Sequence, residues 1–325
     1  MIFRNAINLL IDNFKLNFKY LLYLVIVSVV SAGLSAAIIL PNVAFIFSSA
    51  ELQAILELFK YFFAALTKGD TEFLSGFSEL LKTATSDFVI MFKSQTTNIV
   101  LTVISVVFIT LISRFLGGIG NFTTGCVLND RLSCYADISF TSAYIKNLGK
   151  SSLWLLFYVP LTFVYDILVI ALCYLVFIVL LKIVNVGILA VLFSFAISVT
   201  LYICSQAVKL TFANGMKPAI VADKEKLGKA IKKGFKSGWQ NFGRLFATYV
   251  VTCYIILALN VVAVLFTFGS GLLLTIPASY ILMVCIEFIS YYNIEKKKYF
   301  ATADKIVVPH EQQPDENFYD NININ

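Results

Sequence analysis

Six long apolar segments constrain this chain more than any other feature. Each has close to or more than the roughly 20 residues that a helix needs to cross about 30 Å of hydrocarbon. Lipid offers the backbone no hydrogen-bond partner, so such segments must be helical, and they lack the period-two alternation of a membrane β-barrel. The six run from about Tyr20 to Phe47, Asn98 to Leu116, Leu153 to Leu181, Val186 to Leu210, Leu245 to Phe268 and Gly271 to Tyr292.

The composition supports the same class. The chain is 59% apolar and only 14% charged, whereas a soluble domain carries about 25% charged residues. There is too little charge to solvate the exterior of a globule of this size. The sequence therefore predicts an all-α, polytopic membrane helix bundle with six transmembrane helices and additional interfacial amphipathic helices.

The positive charge is distributed unevenly between the apolar segments. With the N-terminus in the cytoplasm, 20 of the 25 Lys and Arg residues fall on the cytoplasmic side, as the positive-inside rule expects. We therefore predict a multi-pass protein of the cell membrane with both termini cytoplasmic. A cleaved signal peptide is the alternative for the first segment, because Ser31-Ala32-Gly33 offers small residues; the amphipathic stretch before it argues against cleavage.

Two stretches before apolar segments read as amphipathic helices in the cytoplasmic interface, one over residues 1–19 and a basic one over 225–243. In the second, Leu227, Ile231, Phe235, Trp239 and Phe242 oppose a row of lysines. These lysines are the predicted contacts with anionic lipid or a cytoplasmic partner, and no nucleic-acid motif accompanies them. They are Lys229, Lys232, Lys233 and Lys236.

Two further regions complete the predicted six-span domain of residues 20–300 and its tail. Residues 48–97 form two apolar stripes around a turn at Lys68-Gly69-Asp70, which predicts an extracytoplasmic helical hairpin. It would either cap the bundle or rest on the outer leaflet, or it would form a recognition surface for an outside ligand or partner. Residues 301–325 are polar and acidic, which predicts a disordered cytoplasmic tail.

Two acids lie inside the apolar segments, Asp166 near the middle of the third and Glu287 in the sixth. A carboxylate in a membrane span is costly, so both are candidate functional acids. Alternatively, Asp166 is protonated and bonded to a neighbouring helix, or its real register places it near an interface. Ser290 and Tyr291 follow Glu287 at helical spacing and could hydrogen-bond it. A coupled transport pathway would require both acids to face one cavity.

The residue types present in the chain limit the catalytic and metal sites that it can form. His310 is the only histidine and lies in the tail, which gives little support to a His-ligated zinc, a catalytic triad or a His general base. We predict no catalytic residue, no metal site and no cofactor. The P-loop signature GxxxxGK[ST] is also missing from the sequence, so any ATP-driven action would need a partner.

Residues 219–251, AIVADKEKLGKAIKKGFKSGWQNFGRLFATYVV, and 269–300, GSGLLLTIPASYILMVCIEFISYYNIEKKKYF, carry a resemblance. They resemble the membrane domain of bacterial glycerophosphoryl diester phosphodiesterases and related six-span proteins, in which an Asp-containing loop precedes an amphipathic helix and a span. The recurrent features here are Gly271, Pro277, Tyr291, Tyr292 and Tyr299. The resemblance implies a fold rather than a reaction, since the phosphodiesterase activity belongs to a separate catalytic domain.

Three functions are compatible with these features. The first is a non-enzymatic membrane protein that organises lipids or a membrane or cytoplasmic protein partner, without binding nucleic acid. The second is a small transporter or permease subunit that uses Asp166 and Glu287. A membrane enzyme is the weakest, because the sequence contains no clustered acid–base or metal constellation.

Overall fold

The computed structural model describes residues 2–183, 187–302 and 305–309. These residues form long helices and one short β-hairpin. The part of the tail from His310 to Asn325, and residues 184–186 of the link between the third and fourth spans, lie outside the described residues. The elements are α1 (Ile2–Asp12), α2 (Phe14–Phe47), α3 (Ala50–Lys68), α4 (Thr71–Ser94), α5 (Thr96–Cys134), α6 (Phe140–Ile183), α7 (Gly187–Ala213), α8 (Met216–Ala222), α9 (Leu227–Gln240), α10 (Phe242–Thr267), α11 (Leu272–Ile294), β1 (Tyr299–Thr302) and β2 (Lys305–Val307).

Six helical segments are long and apolar enough to cross a membrane: α2, α5, α6, α7 with α8, α10 and α11. The predicted all-α polytopic fold with six spans is therefore confirmed. Several helices continue well past the apolar stretch that predicted them, since α5 has 39 residues and α6 has 44. At 1.5 Å per residue, α6 is about 66 Å long, roughly twice the hydrocarbon thickness.

Residues Val27–Ser113 form one compact unit, which contains the segment predicted as a helical hairpin. Helix α3 begins after Ser49, whose hydroxyl accepts a hydrogen bond from the backbone of Leu52. Gly69 ends α3 in a left-handed conformation, which glycine adopts without a steric cost. Asp70 then caps α4 by accepting from the backbone of Phe73. Capped in this way, α3 and α4 contact each other, with the rings of Phe59 and Phe62 against Phe77, while other apolar side chains of both helices remain exposed.

The second unit comprises residues up to Ile26 and from Arg114 onward. Helix α11 lies at its centre, and most of its residues from Ile281 to Tyr292 are buried. Helix α1 packs against α11 and β1 through a face that contains Asn5, Ala6 and Leu9. The predicted apolar face of residues 1–19 consists of Phe3, Ile7, Leu10, Ile11, Phe14 and Phe18, and none of these side chains is fully buried. Helix α1 is therefore docked on the bundle through another face, which combines Ile2 and Leu9 with Asn5 and Ala6.

The chain after α11 turns into a short antiparallel hairpin, in which Tyr299 pairs with Val307. Tyr299 is buried, and its hydroxyl accepts hydrogen bonds from Asn5 and Asn293. The tail was predicted to be disordered from residue 301, but Ala301 and Thr302 belong to β1 and residues 305–307 form β2. The buried tyrosine that anchors this hairpin lies just before the polar composition begins.

Candidate functional site

Asp166 lies in an ion cluster that joins three spanning helices. Its Oδ2 atom accepts a hydrogen bond from Arg114 Nη1 of α5 at 2.6 Å, and Oδ1 accepts one from Lys209 Nζ of α7 at 2.6 Å. Gln206, one helical turn before Lys209, donates to the same Oδ1 at 3.1 Å. Asp166 is therefore hydrogen-bonded to two neighbouring helices, and its partners are charged as well as neutral. Two cations and one amide surround it.

The Asp166 cluster carries one more positive charge than negative. Asp166 is the one acid in the described part of the chain within ion-pair distance of Arg114 or Lys209. The Arg114 side chain is 37% exposed and the Lys209 side chain 17%. The guanidinium of Arg114 also lies over the Phe163 ring, 5.4 Å from its centroid, an arrangement that favours a cation.

Glu287 forms a second, separate ion pair. Its Oε2 lies 2.6 Å from Lys217 Nζ of α8, which also donates to Asn121 Oδ1 of α5 at 2.7 Å. Both charged side chains are largely buried. Gly125 makes room here, because a Cβ at that position would come within 2.8 Å of the Phe288 ring. The result is a neutral, closed pair inside the bundle.

The predicted hydrogen-bond partners of Glu287 are wrong. Ser290 Oγ is buried and has no hydrogen-bond partner in the described residues. The hydroxyl of Tyr291 instead donates a hydrogen bond to Asp223 Oδ2, at 2.5 Å. Glu287 instead pairs with Lys217, which lies in another spanning segment.

A third ion cluster lies at Asp223, in the loop after α8. Asp223 pairs with Lys233 of α9 at 2.6 Å and with Lys297, and Lys233 also pairs with Glu295 at 2.8 Å. Burial would raise the pKa of Asp223, but hydrogen bonds from Lys233, Lys297 and Tyr291 hold it below its usual value. Burial likewise opposes the charge of Lys233, yet Asp223 and Glu295 raise the pKa of this lysine. The cluster fastens α9 to the end of α11.

The packing of α9 corrects the prediction for Lys233. That lysine is engaged in the Asp223 cluster, whereas Lys229, Lys232 and Lys236 are exposed. A face of small residues, Ala230, Gly234, Ser237 and Gly238, is buried against the chain from α7 to α8. A Cβ at Gly238 would lie 2.7 Å from the carbonyl oxygen of Thr211, so glycine permits this close approach.

The third face of α9 is aromatic. Phe235 and Trp239 are exposed and lie beside Phe212 of α7, with ring centroids 4.8 and 6.3 Å apart. Phe242, at the start of α10, approaches Phe212 at 5.8 Å. The α9 surface thus presents lysines on one side and aromatic rings on the next, whereas the sequence predicted that apolar residues and lysines lie on opposite faces.

The cationic partners of the two acids are not among the site residues that the sequence predicts. Arg114, Lys209 and Lys217 belong to the 20 Lys and Arg residues expected on the cytoplasmic side, and they are far from Asp166 and Glu287 in sequence. A signal existed, since an acid in a span usually has a cationic partner. Choosing among the cations required the packing of α5, α7 and α8.

Comparison with known proteins gives no match to a protein-family model, a curated protein or a solved structure. The resemblance of residues 219–251 and 269–300 to the phosphodiesterase membrane domain stays a prediction.

Proposed function

We propose that this protein is a non-enzymatic integral membrane protein that binds anionic lipid at its cytoplasmic face through α9, and so organises lipids or a membrane partner. The proposal places both termini in the cytoplasm of a cell whose plasma membrane holds the bundle. One observation carries it: α9 exposes Lys229, Lys232 and Lys236 directly beside the exposed rings of Phe235 and Trp239.

Helix α9 has two exposed faces, one of lysines and one of aromatic rings. The lysines match the anionic headgroups of a membrane surface, and the rings match the apolar boundary beneath them. Tryptophan favours the headgroup level, where its ring is in apolar surroundings and its N–H is hydrated, and phenylalanine enters the apolar side of the same interface. Each lysine near an anionic leaflet contributes about 1 kcal/mol of attraction. The buried small-residue face and the Asp223 cluster hold α9 on the bundle. A fixed helix of this kind would gather anionic lipid at one place around the protein.

The test uses Trp239 as a built-in probe. The chain has two tryptophans, and Trp239 is 72% exposed whereas Trp154 is 4% exposed. In the Trp154→Phe variant, reconstituted in phosphatidylcholine with a minor fraction of brominated lipid, emission reports on the neighbours of α9 alone. Brominated phosphatidylglycerol should quench Trp239 more strongly than brominated phosphatidylcholine at the same mole fraction.

The lysines are tested in the same variant. Replacing Lys229, Lys232 and Lys236 with Gln should remove the difference between the two brominated lipids. The matched control replaces three exposed lysines of α3 and α4, Lys60, Lys68 and Lys82, and should leave the difference intact. Equal quenching by both lipids in the parent protein would contradict the proposal.

A small transporter or permease subunit is the second candidate. Charged side chains between spanning helices favour it, because such groups often mark ion pathways. It ranks second because Asp166 and Glu287 are paired with different cations, in separate clusters. If Asp166→Asn and Glu287→Gln leave every measurable phenotype intact, this candidate fails.

A further inference from the structure

The Asp166 cluster carries one more positive charge than negative. Arg114 and Lys209 share the single carboxylate of Asp166. Charged groups in membrane-spanning helices are normally paired, and here one of the two cations has no carboxylate of its own among the described residues. A second anion would complete this cluster, whereas the Glu287–Lys217 pair is already neutral.

The cations also retain hydrogen-bond donors. Both oxygens of Asp166 are occupied, Oδ2 by Arg114 and Oδ1 by Lys209 and Gln206. A guanidinium has five N–H donors, and Arg114 uses one of its nitrogen atoms on Asp166. Because the Arg114 side chain is 37% exposed, an incoming anion can reach the remaining donors without displacing Asp166.

The depth of the cluster identifies the class of anion. At 1.5 Å per residue, Asp166 lies about 26 Å from the end of α6 at Ile183, and Lys209 lies about 30 Å along the span that begins at Leu189. The hydrocarbon core is about 30 Å thick. If one boundary of the bilayer lies at the end of α6 and the start of the fourth span, the cluster lies close to the opposite polar boundary. Phospholipid phosphates occupy that level.

We propose that Arg114 and Lys209 bind a phosphate group, and that its source is a phospholipid of the leaflet opposite the end of α6 at Ile183. Arginine suits this ligand because its planar fork forms paired hydrogen bonds with phosphate oxygens. Asp166 offsets one of the two positive charges and competes with the phosphate for both cations. The site shares no residue with α9, so the two proposals can be tested separately, and failure of one does not imply failure of the other.

The experiment exploits variants with opposite expected signs. The full-length protein carries Lys229→Gln, Lys232→Gln and Lys236→Gln to remove the exposed α9 lysines, and is held in phosphatidylcholine nanodiscs. Phosphatidylglycerol is titrated in, and its binding is followed by native mass spectrometry of the released complexes. Arg114→Gln should weaken binding about ten-fold, because a charge-assisted hydrogen bond is lost. Asp166→Asn should strengthen binding, because the competing carboxylate is gone.

A purely structural cluster gives a different pattern. If Arg114 serves only to neutralise Asp166, both variants change thermal stability while the affinity for phosphatidylglycerol stays the same, and the proposal is overturned. Should Asp166→Asn fail to fold, Arg114→Gln and Lys209→Gln decide the question, because each leaves one cation paired with Asp166. Lys60→Gln on α3 is the matched control and should leave the affinity unchanged.

A final arm distinguishes the sources of phosphate. Inorganic phosphate is added to the nanodiscs with and without phosphatidylglycerol. If millimolar phosphate displaces the lipid, and the displacement depends on Arg114, the site takes phosphate from water rather than from the bilayer. If only phosphatidylglycerol binds, the lipid source is supported. If neither ligand responds to Arg114→Gln, Arg114 is not part of an anion site.

Discussion

The two acids of the spanning helices lie in contrasting environments. Glu287 faces one cation, Lys217, in a closed and largely buried pair. Asp166 faces two cations, Arg114 and Lys209, and one of them is more than a third exposed. A one-to-one pair inside a bundle is complete and holds helices together. A two-to-one cluster that reaches the surface has charge available for a ligand, so the count of partners separates a structural ion pair from a candidate binding site.

The largest expected effect concerns the closed pair. Lys217→Met should lower the free energy of unfolding by about 3–5 kcal/mol, since it leaves Glu287 buried without its cation. Thermal unfolding in detergent measures the loss. The double variant Lys217→Met with Glu287→Gln should recover much of it, because neither charge then remains. A double variant as unstable as Lys217→Met would mean that the pair is not the source of the effect.

Arg114→Gln tests the contrast between the buried Glu287–Lys217 pair and the partly exposed Asp166 cluster, which we call the open cluster. This substitution leaves Asp166 paired with Lys209, so the loss of stability should be no more than about 1 kcal/mol, also because the Arg114 side chain is partly exposed. The same thermal unfolding series compares it with Lys217→Met. Equal losses in the two variants would remove the distinction between a closed pair and an open cluster.

The docking of α9 gives a packing counterpart to these charge experiments. Gly238→Ala should destabilise the protein by about 1–3 kcal/mol, because the added Cβ would meet Thr211 and Phe212 backbone atoms at 2.7 and 3.0 Å. Gly228→Ala is the matched control, with no atom within 4 Å of its Cβ, and should be neutral or slightly stabilising. Hydrogen exchange of the α9 amides measures the docking. Equal exchange in both variants would show that α9 is not held by this contact.

The smallest expected effect is the pH dependence of the Asp223 cluster. The pKa of Asp223 is lowered, so its stabilisation is complete above its unfolded pKa of about 4 and is lost as the pH falls through the lower folded value. The pKa of Lys233 is raised, so its contribution is complete below about pH 10 and is lost as the pH rises through the folded value. Exchange of the α9 amides should therefore be flat between about pH 5 and 9 after correction for the intrinsic rate. Asp223→Asn should remove the acid dependence, and its persistence would assign it to other groups.

The sequence predicts the spans well because hydrocarbon imposes a simple rule on length and apolarity. It predicts the turn at Lys68-Gly69-Asp70 correctly for a similarly local reason, since Gly69 ends α3 in a left-handed conformation and Asp70 caps α4. Local sequence does not predict the partners of Asp166 and Glu287, because those partners lie on helices that are far away in the chain and meet only in the folded protein.

In helix α9, too, the sequence predicts the local structure but not the tertiary contacts. Its helical character follows from the spacing of its residues, and Lys229, Lys232 and Lys236 are exposed as an amphipathic pattern indicates. Lys233 is not distinguishable from them by spacing alone. Its partners Asp223 and Glu295 precede and follow α9 in the chain, and only the docking of α9 near α11 brings them together.

We propose, from both sites together, that this protein gathers anionic phospholipid through the exposed lysines of α9 and through Arg114 and Lys209. The most direct measurement is affinity purification from native membrane, with the co-purifying phospholipids and proteins identified and compared with the bulk membrane. We predict that anionic phospholipid is enriched, and that the enrichment falls when Lys229, Lys232 and Lys236 are replaced with Gln and falls further with Arg114→Gln. Phospholipid in the bulk proportions together with a stoichiometric ATPase partner would contradict this account and favour a permease subunit.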